Sequence, residues 1–229
     1  MTQQEIAIVV GAGPGLGNAL VHRFARAGMT VAAVSRRGGH VDSAPAEERK
    51  RVIGYACDAT QGAEVTATFG RIVRELGAPD LVVFNVGTWD RGGILELSED
   101  LIVRAWRTGC LAGFLVGQEA ARAMLPRGRG TIIFSGATGS IRGGAGFAAF
   151  AIPKFGLRAL AQSMARELGP KGLHVAHVLI DGMIAGQGES GANSSLAPAA
   201  IAESYYQLHR QERSAWSQEI DLRPMDERF

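Results

Sequence analysis

The chain has 229 residues, 46% hydrophobic and 20% charged, which supplies a sizeable core and argues against a disordered chain. Its 24 basic and 22 acidic side chains leave a net charge of +2, so there is no electrostatic basis for binding nucleic acid or an anionic membrane. The 31 glycines are roughly twice the usual ~7% share, but they lack the every-third-residue period of collagen.

The first residues, Met1 to Glu5, carry no basic region, and the apolar run that follows breaks at a glycine. No signal peptide is expected, and no apolar run approaches the ~20 residues that span a bilayer. Cys57 and Cys110 have no CxxC partner and read as reduced thiols in a cytoplasmic protein.

Ile6–Val10 has the length of a buried parallel strand. A helix follows, with Leu20, Phe24 and Ala27 at helical spacing, and Gly28 ends it before a second strand at Thr30–Val34. Gly38 to Lys50 is polar and reads as a solvated connection. Further strands are expected at Arg51–Ala56, Leu81–Asn85, Thr131–Ser135 and Val175–Ile180, with helices at about Gly62–Leu76, Leu101–Met124 and Phe150–Leu168. This alternation predicts one α/β domain spanning residues 1–229, a doubly wound parallel sheet with helices on both faces.

From Ile184 to Arg213 the rhythm breaks. A glycine- and serine-rich stretch leads into an amphipathic helix in which Ile201, Tyr205 and Leu208 share a face. The segment at about 185–213 reads either as a substrate lid or as a plain surface excursion. The tail from Trp216 could add an edge strand that Pro224 terminates.

Between the first strand and first helix lies Gly11-Ala12-Gly13-Pro14-Gly15-Leu16-Gly17. Gly11, Gly15 and Gly17 give Gly-x-x-x-Gly-x-Gly. Glycines at this place allow a tight turn and the approach of a pyrophosphate to backbone amides and to the helix dipole. At the end of the second strand stand Ser35, Arg36 and Arg37. Two guanidinium groups beside a hydroxyl suit a 2′-phosphate, so NADP is preferred over NAD.

With this glycine spacing, Asp58-Ala59 after the third strand, Asn85-Val86-Gly87 after the fourth and Lys154 on a late helix, the chain resembles the short-chain dehydrogenases/reductases from Ile6 to about Ile184. The resemblance implies a Rossmann-type, seven-stranded parallel sheet, Asp58 near the adenine and Asn85-Val86-Gly87 beside the cofactor. It also implies a homodimer or homotetramer formed through the two long helices, Leu101–Met124 and Phe150–Leu168.

The family's reaction rests on Tyr-x-x-x-Lys, the tyrosine exchanging a proton with the substrate oxygen and the lysine lowering the tyrosine pKa. Against that pattern Lys154 remains, while Phe150 stands at the tyrosine position, Ala137 at the serine position and Cys110 at the asparagine position. The family's Pro-Gly after the sixth strand is replaced by Asp181-Gly182, and Ile184 remains where a backbone amide often meets the nicotinamide carboxamide. The chain's three tyrosines, Tyr55, Tyr205 and Tyr206, lie far from position 150, so the loss does not depend on alignment. Ser135, Thr138 or Ser140 could place a hydroxyl near the cleft, and Pro153 could delay the start of the helix. A substitute proton donor could be Lys154, a water it holds, or Tyr205, Tyr206 or His209 carried in by the lid. Three readings follow: an NADP(H)-dependent oxidoreductase with an altered proton donor, a non-redox isomerase or cyclase, or a nucleotide-dependent binding protein. Phe147, Phe150, Trp89 and Ala137 would line a pocket for a small apolar substrate.

Overall fold

The computed structural model describes residues 4–38, 46–186 and 195–226. Seven parallel strands form one sheet in the order β3-β2-β1-β4-β5-β6-β9. They are β1 (Ile6–Val10), β2 (Thr30–Ser35), β3 (Val52–Ala56), β4 (Leu81–Phe84), β5 (Gly130–Ser135), β6 (Leu173–Ile180) and β9 (Glu219–Leu222). All run parallel, but the chain winds outward from β1 first to one side (β2, β3) and then to the other (β4, β5, β6, β9), with Val10 beside Val34 on β2 and beside Phe84 on β4. That reversal opens a crevice at the carboxyl ends of β1 and β4, the place where open α/β sheets bind ligands.

The inner strands are apolar on both faces because both faces are covered. Ala7, Val9, Val31, Ala33 and Val83 point toward α1 (Leu16–Arg26) and α7 (Pro198–His209). Ile8, Val10, Val34, Val82 and Phe84 point the other way, into a core shared with α3 (Gly62–Glu75), α5 (Ala112–Met124) and α6 (Ala148–Leu168). None of the helices among the described residues is long and apolar enough to cross a membrane.

Four features depart from the sequence reading. The polar connection after β2 contains a short helix, α2 (Ala46–Arg49), whose buried Glu48 pairs with His22 and Arg26 of α1. The helix expected at 101–124 is three pieces: α4 (Glu99–Trp106), a π-helical segment (Arg107–Leu111) and α5. Pro153 does not delay α6, which begins at Ala148 and carries the proline inside it. The ring is accommodated because it packs on Gly109 of the π segment, where a Cβ would come within 2.8 Å of the proline Cβ. A two-stranded ribbon, β7 (Met183–Ile184) with β8 (Ser195–Leu196), also precedes α7.

Of the segment expected as a lid or a surface excursion, residues 187–194 lie outside the described residues. The described remainder ends in α7, where Ile201, Tyr205 and Leu208 are buried against α1 and the sheet. Burying each such side chain stabilises by about 1.5–3 kcal/mol, so α7 belongs to the core layer rather than to a hinged cover.

Candidate active site

The loop after β1 turns sharply enough to bring its backbone against β4. Gly11 has φ +95°, and a Cβ there would stand 2.6 Å from the Asn85 carbonyl oxygen. Gly17 sits so close to the loop that a Cβ would meet the Gly11 oxygen at 2.1 Å. No side chain caps the start of α1, which begins after Gly15 with Leu16 buried against the sheet and no acidic residue in its first turn. A helix N-terminus left in this state favours an anion.

Beside it runs a cleft of about 660 Å³. Gly11, Gly13, Ser35 and Arg36 line one part, and Asp58, Ala59, Asn85, Val86 and Gly87 line the rest. Nine of the residues expected to hold a cofactor therefore meet in one place. Gly15, Leu16 and Gly17 form the turn next to it, while Arg37 is exposed and does not line it. Ile184 lies in the β7–β8 ribbon, partly exposed. Sequence reasoning missed Arg104, Arg107, Thr88 and Thr108, which also line the cleft. The arginines come from α4 and the π segment, and nothing in helical periodicity marks which solvent-facing cation will reach a cleft.

The electrostatics of the β2 end are positive. Among the described residues neither Arg36 nor Arg37 forms an ion pair. Asp58, which lines the same cleft, is engaged by its own turn: its Oδ1 accepts from the Thr60 amide at 2.9 Å and the Thr60 hydroxyl at 2.8 Å. Thr88 Oγ1 is buried in the cleft wall with no hydrogen-bond partner among the described residues. Such an orphaned hydroxyl is costly to leave unmatched and points to a polar ligand.

Lys154 of α6 does not line the cleft but lies behind one of its lining residues, Gly87. It is 8% exposed, and its Nζ donates to the Ser135 carbonyl at 2.8 Å while lying against Gly87. Burial pulls its pKa down to about 8 from 10.5. One helical turn earlier, on the same face, the Phe150 ring packs edge-on against Trp89 at 4.7 Å. Trp89 also meets Phe147 at 5.7 Å, so the three aromatics expected to line a pocket pack against one another. Ala137 is partly buried in the turn after β5, its amide donating to Ser140 Oγ at 3.1 Å. Cys110 sits in the π segment, and burial raises the pKa of its thiol, as it does for Cys57.

The hydroxyl groups sort cleanly. Ser135 Oγ accepts from Tyr205 at 2.8 Å, both groups buried, and so faces the α7 layer. Ser140 is also fully buried. Thr138 alone of the three is partly exposed, its hydroxyl donating to the buried Asp181, which pairs with Arg223 at 3.3 Å. The lid-borne proton donors considered above do not reach Lys154. Burial drives the Tyr205 pKa up and its hydroxyl is spent on Ser135. Tyr206 stacks under Arg23 of α1 at 3.7 Å. His209 bonds Thr131 Oγ1 at 3.0 Å, at the opposite end of β5. Helical periodicity put these three on one helix, but the packing of α7 on α1 turned them away.

A larger cavity, about 850 Å³, opens at the amino ends of the strands between Glu5, Asp80, Arg129 and Trp216. Its described lining holds His209 but none of the residues expected to bind a cofactor, and ligands of open α/β sheets bind at the opposite edge, so the smaller cleft is the candidate site.

Residues 5–194 match the family model described as short chain dehydrogenase. The chain is 41% identical to a short-chain dehydrogenase from Rhodopseudomonas palustris of known crystal structure, covering 96% of this chain and 98% of that one with a TM-score of 0.85. It is 29% identical over 202 residues to the (21S)-21-acetoxyl-apo-melianone synthase SDR of Melia azedarach, covering 87% of this chain and 74% of that protein. A metagenomic short-chain oxidoreductase solved in complex with NADP has the same fold at 24% identity, with a TM-score of 0.81 and coverage of 96% and 97%.

Proposed function

The chain belongs to the short-chain dehydrogenases, and from that membership we propose that it is a single-domain NADP(H)-dependent oxidoreductase of small apolar carbonyl or alcohol substrates in which Lys154 takes over proton transfer. One observation carries this reading. Lys154 is a buried amine behind Gly87 of the cleft, bonded among the described residues to one backbone carbonyl, one turn from the Phe150 ring that fills the family's tyrosine position.

The cleft fits the cofactor. The uncapped start of α1 and the close approach at Gly11 and Gly17 suit a pyrophosphate, and Thr88 offers an unmatched hydroxyl. Ser35 and Arg36 suit a 2′-phosphate, and a solved relative of this fold was obtained with NADP. Bound NADP(H) supplies the hydride chemistry. The chain's own residues do the rest: Trp89, Phe147 and Phe150 hold an apolar substrate and exclude water. Lys154 Nζ–H gives its proton to the substrate oxygen in reduction and takes it back in oxidation, a role suited to an amine that titrates near neutrality.

Titration with NADPH and NADH, followed by turnover across a panel of apolar ketones and alcohols, tests the proposal. NADPH is expected to bind more tightly than NADH. Losing charge-assisted bonds from Arg36 weakens NADPH binding about 10–100-fold in Arg36→Ala and leaves NADH unchanged. Tighter binding of NADH would sink the cofactor assignment. Tight NADPH binding without turnover would move the reading to a non-redox enzyme or a nucleotide-dependent binding protein.

We also propose assembly through α4, α5 and α6. Trp106, Phe114, Ile152 and Phe155 are 41–46% exposed there, a clustering that marks interaction surfaces. Sedimentation is expected to show a dimer or tetramer that Phe155→Glu dissociates. A monomeric wild type refutes it.

A further inference from the structure

Below Lys154, on the α6 side of the sheet, β6 carries an imidazole that the proposed reaction does not use. His177 is fully buried. It pairs in register with Glu219 of β9, its Nδ1 lying 2.9 Å from Glu219 Oε2. Arg158, one turn beyond Lys154 on α6, holds the same carboxylate through two N–H groups, both at 2.7 Å. This arginine, together with the histidine contact, keeps the Glu219 pKa low. An ionised carboxylate only accepts, so the hydrogen resides on Nδ1 and the lone pair on Nε2.

Nε2 has no hydrogen-bond partner among the described residues. It faces Gly136, where a Cβ would lie only 2.1 Å away. The carbonyl of the preceding residue, Ser135, is the one that holds Lys154 Nζ. Lysine and imidazole therefore meet at one peptide unit, and the Lys154 charge is felt at the ring. The charged groups acting on His177 are Glu219 from β9 and Lys154 and Arg158 from α6, while the loop after β5 presents Gly136 and the neutral Ser140. Burial, outweighing the Glu219 carboxylate, holds the imidazole down at about 4, so it stays a neutral acceptor throughout the range in which Lys154 titrates. An ammonium has three N–H donors. One is on Ser135, and the unmatched Nε2 on the other side of the same peptide is an acceptor that a second can use through one water.

We infer that His177 is a positioning residue for Lys154: held by the Glu219–Arg158 pair with its free lone pair at the peptide that also binds the lysine, it stabilises the ammonium through a bridging water and sets how readily that group releases its proton. This rests on the reading of Lys154 as proton donor.

The chain has three lysines, Lys50, Lys154 and Lys171, so Lys154 can be followed directly by NMR of protein labelled with ¹³C at lysine Cε, with Lys154→Arg giving the assignment. The wild-type midpoint is expected at about 8. His177→Leu removes the acceptor and lowers it by about one pH unit, a tenfold change in the protonation equilibrium. His177→Asn, which keeps an acceptor, restores most of that shift. A midpoint unmoved or raised in folded His177→Leu overturns the inference. Should that variant not fold, Glu219→Gln, which frees the imidazole to place its hydrogen on Nε2, is expected to lower the midpoint as well, and an unmoved midpoint there overturns it equally. Turnover measured on the same preparations separates the two readings. A shifted midpoint without turnover defeats only the proposed activity, and turnover with an unshifted midpoint defeats only the role of His177.

Discussion

Phe150→Tyr is expected to raise carbonyl reduction by about 10²–10⁴-fold, the usual worth of a well-placed general acid. The Phe150 ring lies one turn from Lys154, packed edge-on against Trp89 and close to Gly139. A tyrosine keeps the same ring and adds only a hydroxyl at its tip. Lys154 then changes role, from proton donor to the cation that lowers the pKa of the new phenol. Steady-state rates for wild type and variant at equal NADPH saturation decide the matter. An unchanged rate, with NADPH affinity also unchanged, would mean that the missing hydroxyl is not what limits the protein.

Lys154→Met is expected to have opposite effects on activity and stability. Turnover falls about 10²–10⁴-fold because the proton donor is gone. Stability rises, because an ammonium held at about 8 against 10.5 in the unfolded chain costs about 3 kcal/mol wherever both states are protonated. The sign follows from proton counting. Between pH 8 and 10.5 the unfolded chain binds more protons than the folded one, so wild-type stability rises with pH across that window and the lysine contributes no slope below it. The variant lacks this dependence. Urea unfolding at pH 7 is expected to favour it by about 1–3 kcal/mol, with the gap closing toward pH 10.5. A less stable variant would show that the bond to Ser135 outweighs the cost of burial, and a fully active one would remove Lys154 from proton transfer.

Much of this molecule can be read before its structure is seen. The strand β1, the glycine turn and α1 announce themselves because apolar period and turn chemistry are local properties of a few consecutive residues. The same holds for Phe150 and Lys154, since four residues in a helix make one turn. Other readings failed where the outcome depended on a partner distant in the chain. Pro153 lies inside α6 because Gly109 leaves space for its ring. Tyr205, by contrast, is buried with Ile201 and Leu208 as their shared helical face predicts, and only its hydroxyl partner, Ser135, seventy positions away, was out of reach of that pattern.

The sequence by itself determined the alternating α/β architecture, the nucleotide-type turn from Gly11 to Gly17 and the pairing of Phe150 with Lys154. Only the tertiary structure decided which groups surround that lysine. It removed Tyr205, Tyr206 and His209, brought Arg104 and Arg107 to the cleft, and set His177, Glu219 and Arg158 beneath it from three separate elements. The physical reason is that backbone periodicity is set by neighbours in sequence, whereas burial, desolvation and the direction of a lone pair are set by whichever side chains the fold packs together.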